Sequence, residues 1–484
     1  MKSRFGDIVG ALLIVWCAAP LPGQRAIPAD SIVPTAPVAT LSDVLTSRVA
    51  GVQVQSRDGS AGAGPVITIR GAAEPTAIST PPLLFIDGVR VDDTQGADDP
   101  LVSGHAFPAR FDDIDPADIE RIEILPGAAA GALYGPGAGN GVILVTTRHA
   151  RDRLISGRLT AEDGLTTMPQ FEQPSYFAWG HTPSGTTQQC VTYARAGGGC
   201  VIDSVTHFNP LLDNATTPFI TADERRFGVE VGASVRGVRA FVTAHYADQL
   251  GNLQMPNPDI QAYEFQAFDH GRVPTTYFQP SAADRADVRA QISSDIGRTI
   301  DWGIAGSYSG VHQRTTSTDS LLIGAALGPG DRQMDDGWYP PLRPGNLFND
   351  VATERLKQRT ASAHANWRPL SGLTVHALAG SDAIDLTDQH LPAVGPVVVS
   401  FTENRLVTAQ YTSDVGAEYT VRPLDGLVLR TSAGGQYLES HLNDHFAERT
   451  QSLYADEGAT IVDRLTIDAG ARWNHQWIHG AGIA

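Results

Sequence analysis

The sequence predicts two unequal parts: a small α+β domain over residues 41–150, and an antiparallel transmembrane β-barrel over residues 155–484. Three observations lead to this fold class. The chain begins like an exported protein, and helix and strand signals are mixed only in the first part. The second part consists of alternating segments whose connections are short at one end and long at the other, which is typical of membrane barrels.

The N-terminus has the pattern of a secretory signal peptide over residues 1–26. A basic start precedes an apolar run over residues 8–19, and small residues follow it. That run is shorter than the roughly 20 residues that a membrane-spanning helix needs, whereas signal peptides have runs of this kind. Trp16 is a poor residue before a lipidated cysteine, so we favour cleavage over lipid attachment at Cys17.

Composition excludes several classes of function. The formal net charge is -18, which argues against a nucleic-acid partner because phosphate contacts require a basic face. The sequence lacks a nucleophile elbow and a defensible Ser-His-Asp arrangement. We therefore expect neither an enzyme nor a bound cofactor.

Cys190 and Cys200 bracket the segment "VTYARAGGG". In an oxidising compartment this gap can close as a disulfide, and two unpaired thiols are the alternative. A zinc site is not predicted, since no histidine pair lies nearby. The acidic loop "VDDTQGADDP" could hold calcium, but its spacing does not match an EF-hand, so a solvated loop is favoured and no metal is expected.

Residues 27–40 hold three prolines, which predict an extended linker. Beyond it, Ser42 begins a short helix that Gly51 ends. Asp115 opens a short helical turn, and "AAAGALYG" forms another. Alternation predicts strands in "VQVQ", "PVITIRG", "PPLLFIDGVRV", "RIEIL" and "NGVILVTT". The glycine-rich "GPGAGNGV" does not predict a phosphate loop, because Lys-Ser/Thr is missing and a strand follows.

Hairpins dominate the second part. In "RFGVEVGASVRGVRAFVTAHYAD" a two-residue turn at Arg236-Gly237 puts the apolar faces of both strands on one side. Arg-Pro-Leu-x-Gly-Leu occurs in both 367–380 and 421–434, each time as a predicted turn. The strands of a soluble β-sandwich or propeller would show the same alternation of apolar and polar residues. The signal peptide and the unequal connections favour the barrel, with histidines such as His245 lining its lumen.

The order of "VITIRG", "PLLFIDGVRV" and "IDPADIERIEILPGAAAGALYGPGAGNGVILVTTR" resembles the plug domain of TonB-dependent outer-membrane receptors, most of all the SusC/RagA-like branch. The resemblance implies a plug inside a barrel of about 22 strands in the outer membrane of a diderm bacterium. "DSIVPTA" resembles the TonB box, to which TonB adds a strand. Its matching residues are Asp30, Ser31, Ile32, Val33 and Thr35.

The same resemblance assigns roles within the plug. Arg70 and Glu120 are expected in a charged lock between plug and barrel, and Asp87 and Gly88 in a plug turn. Gly135 and Gly141 are expected to allow tight turns around Tyr134 and Asn140. The remaining residues of the expected lock and its turns are Gly71, Arg121 and Glu123.

The implied function is TonB-dependent import of a large or scarce nutrient. An oligosaccharide is favoured, and a siderophore or vitamin complex is the alternative. The implied partners are TonB, outer-membrane lipid and a SusD-like surface lipoprotein. A non-transporting receptor or signalling protein stays open. Residues 155–484 leave about 15 residues per strand, connections included, for 22 strands. The long connections in this part need more residues than that. We therefore expect 10 to 14 strands and an incomplete barrel, as in a truncated, non-functional fragment.

Overall fold

The computed structural model describes most of the chain. It covers residues 25–28, 45, 51–55, 60–62, 64–69, 81–91, 114–150, 154–167, 176–191, 195–266, 271–316, 318–391, 393–394, 397–398, 401–443, 446–461 and 465–480.

We call the first part of the chain the plug. Its strands are β1 (Arg25–Pro28), β2 (Val52–Gln55), β3 (Val66–Ile69), β4 (Leu83–Ile86), β5 (Val89–Val91), β6 (Ile119–Leu125) and β7 (Val142–Thr147). Five of them form a central sheet in the spatial order β1-β6-β7-β4-β5, in which β4 runs parallel to β7 and the other neighbours are antiparallel. A separate hairpin joins β2 to β3.

The predicted turns and strands of the plug are present where the structure describes them, and the helix predicted from Ser42 to Gly51 lies outside the described residues except at residues 45 and 51. Asp115 caps the 3-10 turn Pro116–Asp118, and its side chain accepts a hydrogen bond from the Ala117 N–H at 2.7 Å. The alanine-rich segment forms helix α1 (Gly127–Tyr134). The strand β1 crosses the predicted boundary between signal peptide and linker, and it pairs with β6 instead of lying unpaired. Isoleucine, leucine and valine side chains fill the space between the strands, among them the fully buried Ile119 and Ile122.

An 11-stranded antiparallel sheet forms most of the second part, and we call it the wall. Each strand pairs with the next wall strand along the chain. Short turns join the strands at one end of the wall, and most of the connections at the other end are longer. Among the described residues, the number of strands lies within the predicted 10 to 14. The strands are β8 (Ile155–Thr166), β12 (Ala222–Val235), β13 (Val238–Leu250), β14 (Ala282–Ile296), β15 (Ile300–Thr315), β16 (Val351–Leu370), β17 (Leu373–Leu391), β20 (Thr402–Leu424), β21 (Leu427–Leu442), β22 (Phe446–Ile461) and β23 (Leu465–Gly480).

The turns at one end of the wall are short. Val235 pairs with Val238 across Arg236 and Gly237, which both have positive φ, and Leu424 pairs with Leu427 across the second repeated motif. These hairpins confirm the predicted register. One face of the wall consequently exposes large apolar side chains, including Phe227, Val229, Val231, Val242, Ile292, Ile304, Trp367, Val415 and Trp473.

Long connections pack together at the opposite end of the wall. Leu253, Met255, Leu321, Trp338 and Phe348 are buried against one another and form what we call the loop core. The helices in these connections are α2 (Asn257–Gln266), α3 (Thr275–Phe278), α4 (Thr318–Leu327) and α5 (Pro344–Leu347). Among the described residues, none of the helices is both long enough and apolar enough to cross a membrane.

Short strands complete the connections. A three-stranded sheet precedes β12, and a disulfide joins Cys190 to Cys200 within it, with 5.6 Å between the two Cα atoms. Of the two alternatives that the sequence left open, a disulfide and two unpaired thiols, the structure therefore has the disulfide. These strands are β9 (Tyr176–His181), β10 (Thr187–Gln189) and β11 (Val201–His207), and a further pair is β18 (Ala393–Val394) and β19 (Val397–Val398).

Candidate functional site at the plug–wall interface

The plug turn between β4 and β5 contacts the wall through a charged side chain and through its backbone. Asp87 and Gly88 both have positive φ, which closes the tight turn that the sequence predicts. The Asp87 carboxylate accepts hydrogen bonds from the backbone N–H and the hydroxyl of Thr147, each at 2.8 Å. It also contacts the guanidinium of Arg289 on β14. Both charged side chains are mostly buried, so the ion pair is shielded from solvent.

Gly88 and Val89 lie directly against the wall. A Cβ added to Gly88 would lie 2.8 Å from Leu378 Cδ2, and one added to Gly380 would lie 2.2 Å from Val89 Cγ2. The backbone N–H of Arg90 donates to the Thr412 hydroxyl at 3.2 Å. Glycine on each side thus permits an approach that any side chain would prevent.

A second contact joins the 3-10 turn of the plug to β13 and β14. The Thr243 hydroxyl donates to Asp118 Oδ2 at 2.8 Å. His245 Nδ1 lies 3.7 Å from the same Asp118 oxygen and 3.1 Å from Asp287 Oδ2. Burial raises the pKa of Asp118 to about 6, and His245 and the Thr243 hydroxyl oppose that increase. These three charged groups supply one imidazole nitrogen and two carboxylates within 4.8 Å of one another.

A third contact involves the segment before β3. The backbone N–H of Ala61 donates to the Ser281 hydroxyl at 3.0 Å, and that of Gly62 donates to Gln249 Oε1 at 3.0 Å. Main-chain donors of the plug therefore bind side-chain acceptors of the wall. This kind of contact needs no particular plug side chain, which explains why no sequence motif predicted it.

Helix α1 forms the fourth contact, with the last wall strand. The ring of Tyr134 packs on Phe85 with 4.8 Å between centroids, and burial raises the pKa of its phenol to about 12. Gly135 follows with a φ of 90°, and a Cβ there would lie 3.6 Å from Arg472 Nε. Arg472 itself donates to Asn474 and Gln436 on the inner side of the wall.

The remaining residues of the expected lock are placed differently. Glu120 Oε2 lies 3.3 Å from Nδ1 of His149, which belongs to the same part of the chain, and Arg121 pairs with Glu123 on its own strand at 3.0 Å. Glu120 therefore has its contact within the plug part of the chain, and its role in a lock between plug and barrel stays a prediction. In a strand, alternate side chains point to opposite faces, and Asp87 and Asp118, at turns, reach the wall instead.

The other sequence-predicted positions divide into two groups. Gly141 has a φ of 98°, and a Cβ there would lie 2.9 Å from the Leu125 carbonyl, so it provides the close turn expected after Asn140. Arg70, Gly71, the TonB-box-like segment and the acidic loop after Val91 lie outside the described residues.

Wall residues of the interface were missed by reasoning from sequence. Arg289, Asp287 and Thr243 lie on the polar side of strands whose apolar side was recognised. Strict alternation gives the face of each residue but not its partner, which comes from a segment more than 100 positions away in the chain. The available signal for a contact with the plug was a charged residue in the middle of a strand, on the side that faces the lumen.

Comparisons with known proteins agree with this arrangement. Residues 23–142 match the family model of the TonB-dependent Receptor Plug Domain. The TonB-dependent receptor SusC of Bacteroides thetaiotaomicron is 40% identical over 110 residues, which are 23% of this chain and 10% of that protein. The TonB-dependent receptor P26 of Formosa agariphila is 39% identical over 112 residues, again 10% of its length.

Solved structures share the fold over nearly the whole chain. The RagAB peptide transporter superposes with a TM-score of 0.61 at 16% identity, covering 96% of this chain and 56% of that chain. The siderophore receptor PirA from Acinetobacter baumannii gives 0.56 at 13% identity, with 94% and 57% covered. This chain thus spans a little over half the length of these structures.

Residues 23–142 thus match the plug domain of TonB-dependent receptors, and within the curated proteins this region is similar to the plug region of SusC. The fold of plug and wall together is that of solved structures such as the RagAB peptide transporter and the siderophore receptor PirA.

Proposed function

We propose that the chain acts in TonB-dependent import of a nutrient across the bacterial outer membrane, with its apolar outer face in contact with lipid. The observation that carries this proposal is the plug–wall interface. The plug packs its own apolar core internally, and its contacts with the wall include hydrogen bonds and ion pairs. Water can replace such contacts at small cost when the plug moves. A plug that can move without exposing its core suits a transporter.

The movement requires an external force, and TonB is the proposed source. An extended segment with unpaired backbone groups can accept a strand from a partner. Residues 30–36 have the composition of such a segment, and they follow β1 at the edge of the plug sheet. Tension there would act on β6, which carries the 3-10 turn and Asp118 at its start.

An oligosaccharide is the proposed substrate class, on the resemblance of the plug to SusC-like receptors. A peptide is the second candidate, supported by the superposition on the RagAB peptide transporter. A SusD-like surface lipoprotein is the proposed partner at the loop end of the wall. A receptor that signals without transport is the alternative from a different class of function.

Uptake by bacterial cells that express the chain tests the proposal. Replacing residues 30–36 with a Gly/Ser segment of equal length keeps the reach of the linker and removes its sequence. We expect labelled oligosaccharide to bind as before while uptake is lost. Unchanged uptake would rule out TonB dependence, and uptake of labelled peptide in place of oligosaccharide would select the second substrate class.

A further inference from the structure

The three ionisable side chains of the second plug–wall contact form a compact group. Asp118 belongs to the plug, whereas His245 and Asp287 are directly opposite each other on β13 and β14. Their side chains are 4%, 7% and 14% exposed, respectively. The strands that flank them, β12 and β15, place the group well inside the wall, away from its edges.

The hydrogen bonds within the described residues do not satisfy this group. His245 Nδ1 can donate one hydrogen, and Asp287 at 3.1 Å is its nearer acceptor. Asp118 Oδ2 receives the Thr243 hydroxyl, while Asp118 Oδ1 is buried without a hydrogen-bond partner among those residues. Two neighbouring buried carboxylates repel each other, and a single imidazole, even when protonated, balances only one of their two charges.

We propose that Asp118, His245 and Asp287 form a site for a first-row divalent cation such as Zn²⁺, which fastens the plug to the wall. One imidazole and two carboxylates are suitable ligands for Zn²⁺, Fe²⁺ or Mn²⁺, whereas Mg²⁺ and Ca²⁺ prefer oxygen alone. A divalent charge also neutralises the two carboxylates. The three side chains carry an excess of negative charge that a cation would balance. They also supply ligand atoms from both parts of the chain.

The distances support coordination. Ligand atoms placed tetrahedrally at about 2.1 Å from zinc are about 3.4 Å apart. The observed separations of 3.1 Å and 3.7 Å from His245 Nδ1 lie on either side of that value. Small side-chain movements would therefore be enough to bind the ion. Gly228 lies opposite His245, and a Cβ there would lie 2.8 Å from the imidazole Cδ2, so glycine leaves room for the ring.

The site would couple metal binding to plug docking. Because Asp118 comes from the plug and the other two ligands from the wall, all three meet only when the plug is in place. Binding that requires the docked form stabilises that form by linkage. The ion would then resist movement of the plug until a pull separates Asp118 from the wall ligands.

Zinc binding to the full chain in detergent tests the site. We expect equilibrium dialysis at micromolar Zn²⁺, followed by elemental analysis, to find about one tightly bound ion per chain. Asp118→Asn and His245→Gln should each lose it. The matched control His312→Gln removes an exposed imidazole 3.1 Å from the single carboxylate of Asp284, and it should keep the ion.

Two outcomes overturn the proposal: no tight zinc in the unmodified chain, or retention of zinc by both ligand variants. Circular dichroism shows whether the variants keep their strand content. X-ray absorption at the zinc edge of the unmodified chain needs no variant at all. It should give nitrogen and oxygen neighbours at about 2.0–2.1 Å with an imidazole signature, and a shell without imidazole would place the metal elsewhere. These readouts do not depend on uptake, so failure of the import proposal would be seen separately.

Discussion

The carboxylate of Asp87 on the plug contacts the guanidinium of Arg289 on the wall, across 202 positions of sequence. The same carboxylate accepts two hydrogen bonds from Thr147, so it closes the plug turn and ties that turn to β14. Arg289→Met would leave Asp87 buried without its cation. Removing one partner of a buried pair costs about 3 kcal/mol.

This loss is measurable as hydrogen exchange of the peptide over residues 83–91. We expect its protected amides to exchange about 100-fold faster in Arg289→Met, because local opening becomes more frequent. Arg121→Gln is the control, since Arg121 is half exposed and its pair with Glu123 lies within one strand. Exposed pairs contribute about 0–1 kcal/mol. Equal protection in both variants would show that Asp87–Arg289 does not hold the plug.

Gly88 is expected to be intolerant of even a methyl group. Its φ of +83° costs a side chain about 1–2 kcal/mol, and the new Cβ would lie 2.8 Å from Leu378 Cδ2. Gly88→Ala should therefore loosen the 83–91 peptide in hydrogen exchange. Gly237→Ala is a matched control, because Gly237 has a φ of +82° with nothing within 4 Å.

The comparison separates backbone strain from contact with the wall. Gly237→Ala should speed hydrogen exchange of its own hairpin only by the amount that backbone strain causes. Gly88→Ala should speed exchange of the 83–91 peptide by more than that amount. Adding Leu378→Ala to Gly88→Ala should remove this additional exchange, because the smaller side chain makes room for the methyl group. If the double variant exchanges as fast as Gly88→Ala, the plug turn does not contact β17 as closely as the structure indicates.

Local signals account for the parts of this fold that the sequence predicts well. The Arg236-Gly237 hairpin follows from alternation and one turn, all within neighbouring residues. The Asp87-Gly88 turn is equally local. The wall residues Arg289 and Thr243 cannot be predicted from local sequence. Many inward-facing polar residues of the wall could contact the plug, and the tertiary fold determines which of them do.

The loop core shows a second limit of sequence reasoning. Trp338 and Phe348 are fully buried between connections that alternation marks only as long and polar. Their packing depends on three connections that meet at one end of the wall. Apolar residues scattered through a loop have no period to detect. Large aromatic and Met residues inside long connections were the remaining signal.

Reduction of the Cys190–Cys200 disulfide should loosen one connection and leave the wall intact. Closing a loop of this size with a disulfide contributes about 3 kcal/mol in the chain-entropy estimate. Arg195 lies within the closed loop and is exposed. We expect trypsin to cut there faster after reduction or in Cys200→Ser, as detected by mass spectrometry of the fragments.

Arg195→Gln identifies the cut, since it removes the trypsin site and keeps the disulfide. Strand content should be the same before and after reduction. An unchanged rate of cutting at Arg195 would mean that β9, β10 and β11 hold this loop closed without the covalent bond.

The loop core contains a buried ion pair whose rupture should depend on pH. Arg343 Nε donates to Asp259 Oδ1 at 2.6 Å, and the Asp259 side chain is only 3% exposed. Burial raises the pKa of Asp259, and Arg343 opposes the rise. A group whose pKa is raised in the folded state holds its proton to a higher pH there, so its ionisation destabilises the fold as pH rises above about 4.

Arg343→Leu removes the opposing charge and should raise that pKa further. We therefore expect the variant to lose about 3 kcal/mol at pH 7. The loss should be much smaller near pH 4, where Asp259 is protonated in the folded variant and about half protonated in the unfolded chain. Hydrogen exchange of the peptide over residues 257–266, followed at both pH values after correction for intrinsic exchange rates, measures the difference. The double variant Asp259→Asn with Arg343→Leu has no buried charge at this position, so the extra loss that Arg343→Leu shows at pH 7 should be absent from it. A loss in Arg343→Leu that is equally large at pH 4 would assign the role of Arg343 to packing of its aliphatic stem instead of its charge.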